Sequence, residues 1–202
     1  MPLWIDPQPL VLASKSDIRG KILAAAGLRF GILPAQIDER AAEAKAGTLD
    51  AAAAATLLAR VKADAVASLK PGHLVLGADQ TLALGRQRFS KPVNRAEAVQ
   101  QLRLLRGQTH ALHSALALVR DGNVLFEFVD TARLTLRDFS DRFLDDYLDM
   151  VGDTALSSVG GYQLEGIGIH LFEKVEGDYF TILGLPLLPL LAFMREGGFV
   201  NG

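Results

Sequence analysis

A run of five apolar residues, Leu74-Val75-Leu76-Gly77-Ala78, ends abruptly on Asp79-Gln80-Thr81. The run reads as a buried strand, and a carboxylate directly after it is costly unless a partner neutralises it. In open α/β sheets the C-terminal end of a strand is also where ligands bind. Asp79 therefore constrains both the fold class and the place to look for chemistry.

The rest of the chain fits that frame. Residues 10–13 read as a first strand, and Ser16 is expected to cap a helix over 17–26 that stops at Gly27. A second strand is expected over 30–37, and a long Ala- and Leu-rich helix from a Thr48 or Asp50 cap to Ser68. The central strand covers 73–78, Asn94 caps a helix over 95–106, and Asp121-Gly122 turns a hairpin between strands 109–120 and 124–137. Ser140 opens a helix to Met150, and a strand over 169–175 and a helix over 185–196 close the pattern. Alternating strands and helices interrupted by a hairpin predict an α/β fold with a mixed, twisted sheet and flanking helices. No internal repeat or linker divides residues 1–202, which read as a single domain.

Half of the 202 residues are hydrophobic and the net charge is −2, a balance that argues against a general nucleic-acid or anionic-membrane binder. Any anion site must be local. With no cysteine, thiol nucleophiles, thiolate zinc and disulfides are excluded. Met1-Pro2-Leu3-Trp4-Ile5-Asp6-Pro7 lacks the basic start of a signal peptide, and the apolar stretch 183–194, broken by Pro186 and Pro189, is too short to span a bilayer. A cytoplasmic protein is expected. There is no P-loop, no complete dinucleotide fingerprint and no nucleophile elbow, and His110 and His113 point to opposite faces of a strand.

Local clusters supply the chemistry. Ser14, Ser16 and Arg19 lie at a strand-to-helix junction, where free backbone N–H groups and the helix dipole hold phosphate and a guanidinium can fork onto it. The plain alternative is a capped helix with one surface arginine. Glu39 and Asp79 each follow a predicted strand. If they converge they suit Mg²⁺ or Mn²⁺, and a carboxylate there can orient or deprotonate water. Read alone, Glu39 is a solvated loop charge and Asp79 a cap or turn former. Lys62, on the long helix, and Lys91, held extended by Pro92, can neutralise phosphate oxygens or simply face solvent. Glu165, in a segment containing Gly160, Gly161, Gly166 and Gly168, can accept two N–H donors from a guanine-type edge or sit in a flexible loop.

In order along the chain, the landmarks are Leu12-Ala13-Ser14-Lys15-Ser16-Asp17-Ile18-Arg19, Ile37-Asp38-Glu39, Lys62-Ala63, Gly77-Ala78-Asp79 and Lys91-Pro92. Gly107-Gln108-Thr109-His110, Gly161-Tyr162, Gly177-Asp178-Tyr179-Phe180 and Gly184-Leu185-Pro186-Leu187 follow. This series resembles the Maf family of nucleoside triphosphate pyrophosphatases over nearly the whole chain. The resemblance implies a fold similar to the inosine-triphosphate pyrophosphatase group, two lobes around a central cleft, and often a homodimer. It implies hydrolysis of a nucleoside triphosphate to monophosphate and pyrophosphate in a house-cleaning role, with a divalent metal. Ser14, Arg19, Glu39, Lys62, Asp79 and Lys91 match the family's functional positions, Asp79 as general base.

Asp17-Ile18-Arg19 departs from the family's usual Pro-Arg-Arg type of pair. Glu165 and residues 166–173 resemble the 7-methyl-GTP subgroup, whereas Gly161-Tyr162 and Gly177-Asp178-Tyr179-Phe180 resemble the dTTP/UTP subgroup. A methylated GTP is favoured. A pyrimidine-specific enzyme and a nucleotide-binding regulator of cell division with little turnover are the alternatives.

Overall fold

The computed structural model describes residues 3–201, so Met1-Pro2 of the N-terminal reading and Gly202 lie outside the described residues. The elements run β1 (Leu10–Leu12), α1 (Asp17–Ala25), β2 (Phe30–Ile32), α2 (Glu39–Ala46), α3 (Ala51–Ala67), β3 (Val75–Leu84), β4 (Gln87–Phe89) and α4 (Arg95–Leu105). They continue through β5 (Thr109–Arg120), β6 (Asn123–Leu136), α5 (Asp141–Val151), β7 (Phe172–Glu176), α6 (Tyr179–Ile182) and α7 (Leu187–Glu196). Seven strands form a mixed sheet in the order β2-β1-β3-β5-β6-β7, with β4 paired to β3. β1 lies parallel to β2 and β3, while β3/β4 and β6/β7 are antiparallel. The α/β class and the mixed sheet with flanking helices are thus as expected.

The chain divides into two compact units: Met1–Gln80 with His113–Asp130 and Asp178–Gly202, and Thr81–Leu112 with Thr131–Gly177. In the first unit the strands are apolar on both faces because helices cover both. Leu10, Leu12, Leu74, Leu76, Ala78, Leu116 and Leu118 pack with Ile22 and Leu23 of α1 and Leu190 and Met194 of α7. The alternate residues Val11, Ala13, Val75, Ala115, Ala117 and Val119 meet Ala55, Ala59, Ala63 and Val66 of α3. Side chains alternate along a strand, so Asp79 shares the α3-facing side of β3 with Val75 and Gly77.

α3 presents alanines because its backbone lies against the strand at Gly77. A Cβ there would sit 2.0 Å from the Ala59 carbonyl oxygen and 2.7 Å from the Ala63 nitrogen. Asp50 caps this helix, its carboxylate accepting the Ala53 N–H at 2.8 Å.

In the second unit, His110 is buried on β5 and its Nε2 meets the Tyr162 hydroxyl at 2.5 Å. The Tyr147 hydroxyl of α5 donates to the Gly161 carbonyl at 3.1 Å. These bonds tie the segment around Gly161 to β5 and α5, joining two landmarks that lie far apart in sequence. Burial pushes the His110 imidazole down to about 4 and the Tyr162 phenol well up.

Several boundaries differ from expectation. β3 does not stop at Ala78 but continues to Leu84, so Asp79 is an interior strand residue rather than a terminator, cap or turn former. β2 ends at Ile32, earlier than expected, although the Leu33 N–H still bonds to the Leu12 carbonyl at 3.0 Å. α2 forms where the sequence predicts no element: none of its residues is buried, so no apolar stripe marks it. Residues 167–171 coil into a 3₁₀ turn and leave β7 to begin at Phe172, and α7 begins after Pro186. The hairpin holds as read, with Asp121 at φ +50° and Gly122 at φ +76°. Among the described residues, no helix is long and apolar enough to cross a membrane.

Gly77→Ala should lower the unfolding free energy by about 3 kcal/mol or more, since a helix backbone must retreat to admit the methyl group. Denaturant unfolding checks this; a wild-type midpoint would mean that α3 yields easily. His110 gives a pH prediction. Its imidazole protonates near 6.5 in the unfolded chain but only near about 4 when folded, so folding stability is present above the first value and falls as pH drops towards the second. Replacing His110 by Gln should flatten the loss of stability between about pH 7 and about pH 4 by about 3 kcal/mol. Parallel pH profiles for both proteins would contradict this.

Candidate active site

Six of the residues singled out from sequence converge in the first unit, on the ends of β1 and α1, the start of α2, the middle of α3 and the middle of β3. Ser14 follows β1 and is buried. Its hydroxyl oxygen accepts the Ser16 N–H at 3.2 Å and Arg19 Nη1 at 3.1 Å. Ser16 holds the N-cap position of α1, but its side chain makes no capping bond. The expected hydroxyl cap is therefore replaced by a turn in which Ser14 receives the backbone of Ser16.

Arg19 is buried in α1 rather than free on its surface. Nε donates to the Gly184 carbonyl at 2.8 Å, and Nη1 also donates to the Ala78 carbonyl at 2.8 Å. Gly184 accommodates this approach at φ +90°, where an added Cβ would lie 3.3 Å from Arg19 Nη2. One guanidinium thus links the end of β1, the residue before Asp79 and the turn before α7. Burial lowers its proton affinity, and Asp79 and then Glu39 act against that.

Lys62, one helical residue before the Ala63 that lies against Gly77, extends its ammonium between two carboxylates. Nζ is 2.6 Å from Asp79 Oδ1 and 2.8 Å from Glu39 Oε1. The lysine and aspartate side chains are 14% and 12% exposed, so this pair is shielded from water, whereas Glu39 at 51% opens to solvent. Burial pushes the Asp79 carboxyl up, and Lys62 followed by Arg19 pulls it back. The solvated-lysine reading of Lys62 and the loop-charge reading of Glu39 both give way. Glu39 is the first residue of α2, and Asp38 caps that helix through the Ala41 N–H at 3.0 Å.

Sequence reasoning missed the support around Asp79. Gln80 Nε2 lies 2.9 Å from the Ser114 hydroxyl, 2.9 Å from the Ile182 carbonyl and 3.2 Å from the Thr181 carbonyl. The Ser114 hydroxyl also donates to the Thr181 carbonyl at 2.7 Å. Asp79 is therefore anchored from both neighbours, through the Ala78 carbonyl and the Gln80 amide. The only signal was an amide next to a strand carboxylate, with its partners far away in sequence. Lys91 and Glu165 belong to the second unit. Lys91 is exposed between β4 and α4, and Glu165 is exposed before the 3₁₀ turn at Ile167–Leu171.

The donor chemistry suits a small, hard divalent cation: Asp79 and Glu39 offer carboxylate oxygens already drawn around one positive charge. Among the described residues no group of three or more His, Asp or Glu side chains is arranged for a metal. The pair matches Mg²⁺, which takes one or two carboxylates and fills its remaining positions with water and substrate phosphates.

The chain matches the Maf-like protein family over residues 9–197. It is 55% identical over 196 residues to a protein of Rhodopseudomonas palustris named nucleoside triphosphate pyrophosphatase, covering 97% of each chain. A protein of the same name from Nitrobacter hamburgensis is 51% identical over 201 residues, with 100% of both chains covered. A Rhizobium etli protein named 7-methyl-GTP pyrophosphatase is 53% identical, over 96% of this chain and 98% of its own. The solved structure of a HAM1 protein from Coxiella burnetii aligns with 63% of this chain and 72% of its own at TM-score 0.43 and 18% identity. From the near-complete match and the order of its landmarks, the chain belongs to the Maf-like family.

Proposed function

We propose that the chain hydrolyses a nucleoside triphosphate at the bond between the α- and β-phosphates, releasing monophosphate and pyrophosphate. One observation bears most of the weight: a buried carboxylate, Asp79, held 2.6 Å from a lysine that also reaches Glu39, beside a helix N-terminus. The printed names of the relatives support the same reaction.

Ser14 and the free N–H groups at the start of α1 take phosphate oxygens. Asp79 orients a water molecule toward the α-phosphorus and takes its proton, while the bridging oxygen leaves with the pyrophosphate. Lys62 and Lys91 neutralise negative charge as it builds on the phosphoryl oxygens. Arg19 uses Nε and Nη1 internally and has Nη2 for the phosphates; its larger task is to hold Ser14 and Ala78 in place. A divalent ion, Mg²⁺ or Mn²⁺, bound by Glu39 and Asp79 would supply further charge neutralisation on the triphosphate. Glu165 reads the base, and a carboxylate pairing with two N–H donors favours a guanine-type edge. The relative named 7-methyl-GTP pyrophosphatase supports a methylated form. The family resemblance supports a homodimer, and action on nucleotides supports a cytoplasmic location.

Pyrophosphate release from 7-methyl-GTP, GTP, UTP, dTTP and CTP, with Mg²⁺ or Mn²⁺, tests this directly. Release should be confined to a few nucleotides, and Asp79→Asn should fold normally while losing ~10²- to 10⁴-fold in rate. Tight nucleotide binding without release would favour a regulator of cell division instead. Arg19→Lys should separate holding from gripping. It should lower stability by about 2–4 kcal/mol, because one ammonium cannot reach all three acceptors. An unchanged unfolding midpoint with only a raised KM would make Arg19 a pure substrate contact.

A further inference from the structure

We propose that Lys62 is a resident cation that keeps divalent metal out of the Glu39–Asp79 pair until a nucleotide arrives to receive its ammonium. This rests on the reading of the cluster as the hydrolytic site. The Lys62 ammonium stands within charge-assisted hydrogen-bonding distance of both carboxylates, 2.6 Å from Asp79 and 2.8 Å from Glu39. A metal held by the same two carboxylates would sit beside this ammonium, which takes one oxygen of each. A second cation cannot share the pair without meeting the first at close range, and on the Asp79 side little water is present to screen the repulsion.

The ammonium has no retreat by movement of its helix, because α3 lies against the strand at Gly77, with Ala63 N 2.7 Å from the position of an added Cβ. It can leave only by swinging its flexible four-carbon stem, and it then requires another anion. Arg19 is the other buried charge facing Asp79, and its bonds to Ser14, Ala78 and Gly184 hold it where it is. The phosphates of a nucleotide are the anion that completes the exchange: Lys62 passes to a phosphoryl oxygen as the carboxylates turn to the ion. Metal and nucleotide binding are then positively coupled, each raising the affinity for the other. A site built this way takes its metal together with the nucleotide.

The test is Mn²⁺ alone, titrated into nucleotide-free protein and followed by electron paramagnetic resonance. Wild type should bind weakly, and Lys62→Met should bind one ion at least ~10-fold more tightly. The gain should disappear in Lys62→Met/Asp79→Asn, which places the ion on the carboxylate pair. Lys62→Gln, which keeps a hydrogen-bond donor beside Asp79, should show the same direction and serves if the methionine variant does not fold. Mn²⁺ binding no tighter than wild type in a folded Lys62 variant overturns the proposal. Pyrophosphate release by wild type decides the underlying reading separately. Release with unchanged metal affinity in the variants defeats the exclusion role alone; tightened Mn²⁺ binding with no nucleotide cleaved defeats the hydrolase reading and leaves the exclusion role standing.

Discussion

A helix backbone lying directly against a strand backbone is the constraint on which the site depends. At Gly77 there is no room for a methyl group, and the facing surface of α3 is correspondingly alanine: Ala55, Ala59 and Ala63. Because Lys62 precedes the contact residue Ala63 and Asp79 lies two residues beyond Gly77 on the same face of β3, this approach delivers the ammonium to the carboxylate. The Ala-rich composition of α3 is thus more than helix propensity. It sets the distance at which a lysine can pair with a buried acid.

Around that pair the structure supplies fixed supports. Arg19 holds the carbonyl before Asp79 and the hydroxyl of Ser14. Gln80 holds the other side through Ser114 and the carbonyls of Thr181 and Ile182. A carboxylate carried within a strand and anchored through both neighbours has little freedom to drift, which suits a group that must orient a water molecule. Glu39 differs: it opens a helix with no buried residue and is half exposed. The pair therefore combines one rigid ligand with one on a more accessible element.

Much of this was legible in the sequence because its signals were local. The caps at Asp50, Asn94 and Ser140 form as expected, and so does the Asp121-Gly122 turn. Ser14, Arg19 and Glu39 stand at element ends, while Lys62 in mid-helix and Asp79 in mid-strand join them through the family pattern. What escaped was non-local. An aspartate after an apolar run reads as a terminator; Lys62, seventeen residues away, and then Arg19 make it tolerable inside β3. α2 has no apolar stripe and so no periodicity to detect. The bonds from Gln80 and from His110 to Tyr162 join positions separated by 34 to 102 and by 52 residues, and no window along the chain contains both partners.

The central claim is that Asp79 directs water to the α-phosphorus of a nucleoside triphosphate. Hydrolysis in water enriched in oxygen-18, followed by mass spectrometry of the products, tests it most directly. The account predicts one heavy oxygen in the nucleoside monophosphate and none in the pyrophosphate. Label in the pyrophosphate, or products of nucleoside diphosphate and inorganic phosphate, would contradict it.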